Sequence, residues 1–201
     1  MLFLIIGLGN PGPGYEDSRH NAGFLVLDRL AGLTGARWRA DRELCAQLCQ
    51  GDLAGHRTLL LKPQTFMNLS GRAVAAACRR HALDVEQLLV VHDDMDLALG
   101  RIQLRRGGGD GGHRGVRSLG AELGRLDFQR MRLGVGRPAA QEVAVEHVLG
   151  GFDPGERPAL EALLARAAEA AQVWLGEGLS AAMNRFNPWR APDLPDKDSD
   201  A

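Results

Sequence analysis

A histidine, a cluster of carboxylates and two side-chain amides fall beside apolar runs in this 201-residue chain. His20 stands in RHNAGF, after a polar loop and at the start of a helix-like segment. An imidazole titrates near neutrality, so it can draw a proton from water when a second group orients it. HDDMDLALG delivers Asp93, Asp94 and Asp96 at the end of an apolar run. A carboxylate so placed can accept a hydrogen bond from an imidazole, fix its tautomer and stabilise the imidazolium, and Asp93 is the candidate partner of His20. Asn68 in KPQTFMNLSG is an amide able to hold a peptide carbonyl, with Phe66 and Met67 as an apolar wall beside it, and GLGNPG displays a second amide, Asn10. Blander roles stay open: His20 as a structural histidine, Asn68 as the N-cap of the Ala-rich helix after it, and Met67 as core packing.

Other chemistries find less support. The Asp spacing lacks the remaining oxygen ligands of an EF-hand, and no histidine pair signals zinc, so a metal stays open but is only weakly signalled. There is no GxSxG elbow, and Ser18, Ser70 and Ser118 lack a motif that would place them on a strained turn. Cys45, Cys49 and Cys78 sit in apolar contexts where a buried, inert thiol is usual. They are odd in number and lack a CxxC pair, which argues against a disulfide framework and for a reducing cytoplasm. Hydrolysis by activated water suits this inventory better than a covalent route.

The elements that must position these groups are legible in outline. Leu2 to Leu8 reads as a central strand buried on both faces, too short an apolar stretch to span a bilayer. A helix follows from about His20 to Leu33, with Gly35 as its stop. Arg57 to Lys62, Leu88 to His92, Ile102 to Leu104 and Met131 to Val135 read as further strands. Helices are expected after Asn68, from Arg114, over Pro158 to Leu175 and over Leu179 to Phe186. Alternating strands and helices imply one α/β domain over residues 1–189, a twisted mixed β-sheet flanked by α-helices. The sheet is mixed because the Ile102 strand follows its predecessor too closely for a helical crossover. Residues 190–201 read as a flexible acidic tail. With 45% hydrophobic and 24% charged residues, wholesale disorder is excluded. GLGNPG satisfies the GxGxxG spacing, but Pro11, Pro13 and Gly14 break the backbone where a dinucleotide-binding helix would already be running. What remains is a glycine-rich loop displaying Asn10 on the rim where open α/β sheets bind ligands.

Together, GLGNPGPGYEDSRHNAGF, KPQTFMNLSG, HDDMDLALG and GGGDGGHRGVRSL resemble the successive signatures of the bacterial peptidyl-tRNA hydrolase family, in order and spacing, over about residues 2–186. The resemblance implies a single α/β domain that cleaves the ester joining a peptide's carboxyl end to the 3' ribose of tRNA. This recycles tRNAs dropped prematurely by ribosomes. It assigns His20 as general base, Asp93 as its orienting partner, and Asn10 and Asn68 to the peptidyl part and the reacting carbonyl. Met67 would line the groove with Phe66 and Tyr15, and His113 would contribute to the site. No metal or organic cofactor is implied, the partner is peptidyl-tRNA through its acceptor stem and peptide, and the state is a monomer. Arg114 departs from the pattern, which commonly has Asn there; Arg is longer, permanently charged and only a donor.

The formal net charge of −1 conceals segregation. Between Arg101 and Arg137 nine arginines stand against Asp110, Glu122 and Asp127, a local +6, so the remainder carries −7. Asp193, Asp196, Asp198 and Asp200 place four negative charges in the tail. The expectation is a compact positive face beside the site, in which Arg105 and Arg132 resemble in position the basic residues the family sets on the terminal 5' phosphate.

Overall fold

A computed structural model of the chain describes residues 1–138 and 143–191. Strand β1 (Leu2–Gly7) lies near the middle of a seven-stranded sheet of order β2-β3-β4-β1-β5-β7-β6. Its parallel neighbours are β4 (His56–Pro63) and β5 (Leu88–Asp94), and β7 (Gln129–Gly134) runs parallel on the far side of β5. Short β2 (Arg39–Asp41) and β3 (Ala46–Leu53) continue one edge antiparallel, and β6 (Ile102–Arg106) closes the other edge antiparallel to β7. The sheet is mixed, as expected. The antiparallel partner of β6, however, is not β5: β7, arriving later in the chain, is inserted between them.

Both faces are covered, which is why the inner strands read as unbroken apolar runs. Ile5, Leu60, Leu89 and Val91 pack with α1 (Ala22–Thr34) and α5 (Arg157–Phe186). Leu4, Ile6, Leu59, Leu61, Leu88 and Val90 face the other way, onto α2 (Ser70–His81) and α3 (Arg114–Leu123). The two expected C-terminal helices form one run, broken at Gly178, whose backbone is non-helical (φ 85°, ψ 174°). A short helix α4 (Ala144–Leu149) precedes α5 and has no counterpart in the sequence reading. Arg190 and Ala191, assigned above to the tail, are bonded to the fold: Arg190 bridges Arg101, and the Ala191 N–H donates to the Gly100 carbonyl at 3.0 Å. The rest of the tail, with its four aspartates, lies outside the described residues.

Three parallel strands end side by side and hand their chains to the same rim: β1 to the loop with Asn10, β4 to the turn at 66–68, β5 to Asp93. Helix α1 starts unusually close to that rim. A Cβ at Gly23 would stand 2.5 Å from the Val91 carbonyl oxygen and 2.6 Å from the backbone N and O of Leu8. Backbone atoms cannot step aside as a side-chain tip does. Gly23→Ala is therefore expected to cost about 3 kcal/mol and lower Tm by roughly 6–12 °C, measured by thermal unfolding.

Candidate active site

Asn10 is buried and locked at every point but one. Its backbone N–H donates to Asn21 Oδ1 at 2.7 Å, Asn21 Nδ2 donates back to its carbonyl at 3.0 Å, and its own Oδ1 accepts the Met67 N–H at 2.9 Å. The Nδ2 group is left for the cleft that Asn10 lines. Asn68 is exposed and does not cap α2: a 3-10 turn (Met67–Leu69) precedes the helix, and the cap position is Leu69. Its amide is thereby released from the structural role considered above.

Asp93, 2% exposed at the end of β5, joins two imidazoles. His20 Nδ1 lies 2.9 and 3.0 Å from its two carboxylate oxygens, and His113 Nε2 lies 2.9 Å from Oδ1. Burial pushes the Asp93 carboxyl up, but the adjoining His113 and His20 outweigh it and hold it well below the usual carboxylate range. An ionised carboxylate only accepts, so both facing ring nitrogens carry protons. His113 confirms this independently, because its Nδ1 accepts the N–H groups of Gly115 (3.1 Å) and Val116 (3.3 Å) as the N-cap of α3. With Nδ1–H committed to Asp93, the neutral His20 ring keeps its Nε2 lone pair for the cleft. Behind them, buried His92 bonds through Nδ1 to the Asp93 carbonyl (2.7 Å) and sets its ring edge against His113, 4.8 Å between centroids. Burial first, then His113, holds His92 far below the usual imidazole range, so it stays neutral.

The ligating atoms of His20, Asp93 and His113 lie within 4.8 Å of one another, the spacing of a metal cluster. The proton positions run against that use. To ligate, His113 Nε2 would have to give up its hydrogen, and the neutral ring would then carry it on Nδ1, pointing at two backbone N–H groups.

A cleft of about 420 Å³ opens in front of the histidines. It gathers nine of the eleven expected residues: Asn10, Tyr15, His20, Phe66, Met67, Asn68, Asp93, His113 and Arg114. Met67 is buried and Phe66 64% exposed, so the apolar wall stands open to an incoming ligand. The opposite wall, Val145, Val148 and Leu149 of α4, escaped the sequence reading, although these residues follow helical spacing within AVEHVL. No serine, threonine or cysteine is among the described residues that line the cleft. Cys45 is exposed, contrary to the expectation for all three cysteines; Cys49 is buried, and burial pushes the Cys78 thiol up to about 11.

Arg105 and Arg132 lie outside the cleft, on β6 and β7. Arg132 is tied to Asp94 (2.6 Å) and Gln103. The positive charge expected here is reduced by acids from other segments: Arg106 pairs with Glu86, Arg132 with Asp94 and Arg137 with Asp96. Arg117 and Arg125 pair locally with Asp110 and Asp127. Arg105 and Arg114 are left with no side-chain hydrogen bond or ion pair among the described residues.

An imidazole oriented by a buried carboxylate on the carboxyl-end rim of a mixed α/β sheet, with no serine, threonine or cysteine among the described residues that line the cleft, is the arrangement of a hydrolase site. Residues 4–194 match the family profile of peptidyl-tRNA hydrolase. Peptidyl-tRNA hydrolases of Desulforudis audaxviator and Geotalea uraniireducens are 53% identical over 188 residues and 51% over 185, covering 93% and 92% of this chain and 94% and 95% of theirs. The crystal structure of peptidyl-tRNA hydrolase from Acinetobacter baumannii superposes with a TM-score of 0.89 at 34% identity, covering 94% of this chain and 96% of that one. The chain belongs to the peptidyl-tRNA hydrolase family.

Proposed function

We propose that His20 is the general base of peptidyl-tRNA hydrolysis in this chain, and that the Nδ1–H bond to Asp93, which leaves Nε2 for water, carries that reading. The reaction of the family is cleavage of the ester between peptide and tRNA. Water attacks the ester carbonyl as its proton passes to His20 Nε2. The tetrahedral intermediate then expels the 3' oxygen of the ribose, which takes the proton from the imidazolium, leaving a peptide acid and a free tRNA hydroxyl. Asn10 Nδ2 and the Asn68 amide are the donors for the peptidyl part and the developing oxyanion. Phe66, Met67 and Tyr15 form one wall for the peptide, and α4 the other. His113 holds Asp93 in place. No metal or cofactor has a part, and the chain works as a monomer in the cytoplasm.

Arg105 and Arg132 receive the phosphates of the acceptor stem, Arg105 as the unpaired guanidinium and Arg132 with its charge already shared by Asp94. Arg114, unpaired at the cleft mouth, binds a carbonyl or a phosphate where the family commonly has Asn. Turnover of purified peptidyl-tRNA at several salt concentrations tests this reading. Affinity is expected to fall steeply with salt, and Arg105→Ala to reduce the slope of log K against log salt by about 0.7–0.9. A wild-type chain that binds peptidyl-tRNA without releasing peptide contradicts the enzyme reading and favours an RNA-holding protein on the same scaffold.

A further inference from the structure

Arg130 is a buried cation that takes no step in the reaction. It lies on β7, 2% exposed; its guanidinium stands over the Phe128 ring, 5.6 Å from the centroid, and its hydrogen bonds among the described residues all go to backbone. It donates to the carbonyls of three successive glycines: Gly107, Gly108 at 2.5 Å and Gly109 at 2.9 Å. Among the described residues no carboxylate oxygen lies within 4.0 Å of it. Burial, then the like charges of Arg105 and Arg132, pull its pKa down to about 10, so it remains a cation at neutral pH. Taking a charge out of water without a counter-ion is costly. A neutral side chain would avoid that cost, but it would not offer five donors in a rigid fork that gathers three carbonyls at once.

Those carbonyls open the segment GGGDGGH, where Gly107, Gly108, Gly111 and Gly112 all have positive φ (67°, 94°, 59° and 80°). Glycine has more conformational freedom to lose than any other residue, five of these seven positions are glycine, and His113 is the last. The second half is fastened by Asp110, whose carboxylate accepts the Gly112 N–H (2.8 Å) and is held by Arg117, and whose carbonyl accepts the His113 N–H (2.9 Å). The first half is fastened by Arg130 and by one backbone bond from Gly107 N–H to the Phe128 carbonyl, 3.1 Å. We infer that Arg130 is a positioning residue for catalysis: by gathering the carbonyls of Gly107, Gly108 and Gly109 it fixes the loop that carries His113, and through His113 the Asp93 carboxylate that orients His20. The inference rests on the roles proposed above for His20 and Asp93.

Single-turnover hydrolysis of purified peptidyl-tRNA by full-length R130M, R130Q and R130K separates positioning from RNA binding. In R130M the saturating rate is expected to fall roughly 30-fold while the half-saturating concentration moves less than about threefold. R130K keeps the charge and reaches one or two carbonyls, so it is expected to be about 3- to 10-fold slower than wild type, with R130Q between the two. In 15N-histidine-labelled protein the His113 Nε2–H cross-peak, sharp in wild type, is expected to broaden or vanish in R130M while the core methyl spectrum is unchanged. A folded R130M within about twofold of the wild-type saturating rate, an unchanged His113 cross-peak, or a loss confined to the half-saturating concentration overturns the inference. If R130M and R130Q do not fold, R130K decides, and a rate within about 1.5-fold of wild type overturns it. An inactive wild type contradicts the hydrolase reading itself, whereas active wild type with equally active variants contradicts only the role of Arg130.

Discussion

His20→Ala is expected to lower kcat/KM for peptidyl-tRNA by about 10³-fold, within the range a single general base contributes. The loss should fall on kcat, because the groups proposed to hold substrate are elsewhere: Asn10 is fixed by Asn21 and Met67, and Asn68 stands on its own turn. Removing the ring leaves Asp93 with its second donor, His113, so the buried carboxylate is not stranded and the fold survives. Single-turnover deacylation at saturating enzyme measures the effect, with retained binding of uncleaved peptidyl-tRNA as the companion observation. A loss below about tenfold contradicts the general-base role.

Asp93→Asn is expected to cost as much or more, and the reason lies in the count of donors and acceptors. Asp93 accepts from two imidazole N–H groups, whereas a carboxamide offers one acceptor and one NH2. His113 cannot adapt, since its Nδ1 is committed to the N–H groups of Gly115 and Val116 and its proton must stay on Nε2. The amide oxygen therefore goes to His113 and the NH2 faces His20 Nδ1. That NH2, in place of Oδ2 at 3.0 Å from His20 Nδ1, favours Nδ1 as an acceptor with the proton on Nε2, the position where the proposed reaction needs a lone pair. A fall in kcat of about 10³–10⁴-fold is expected, the scale seen when the acid of a hydrolytic triad is replaced by its amide and the imidazole takes the wrong tautomer. Steady-state kinetics on peptidyl-tRNA gives the comparison.

The sequence showed the site's residues more clearly than their arrangement. Strands β1 and β5 were legible because both faces are buried and the runs LFLIIG and LLVV, the latter leading into HDD, are apolar. Strand β3, AQLCQGDL, alternates between buried and open positions without a clean period, and three-residue β2 carries no pattern at all, so both were missed. The insertion of β7 between β5 and β6 is a long-range pairing that no local signal encodes. The partnership of His20 with Asp93 followed from their chemistry and from two strand ends sharing a rim. That His113 is a second donor to Asp93 did not, because its tautomer is set by the helix it caps. The expected positive face is weaker than the count for a related reason: counting charge along the chain leaves out Glu86, Asp94 and Asp96, which the fold brings against arginines far away in sequence.

The central claim is that His20 presents an unprotonated Nε2 to the cleft because Asp93 holds the proton on Nδ1. Nitrogen-15 chemical shifts of His20 in histidine-labelled protein at mildly alkaline pH test it most directly. The geometry predicts a protonated Nδ1 and a pyridine-like Nε2 in wild type, with the two exchanged in Asp93→Asn. A wild-type His20 that carries its proton on Nε2 contradicts the account.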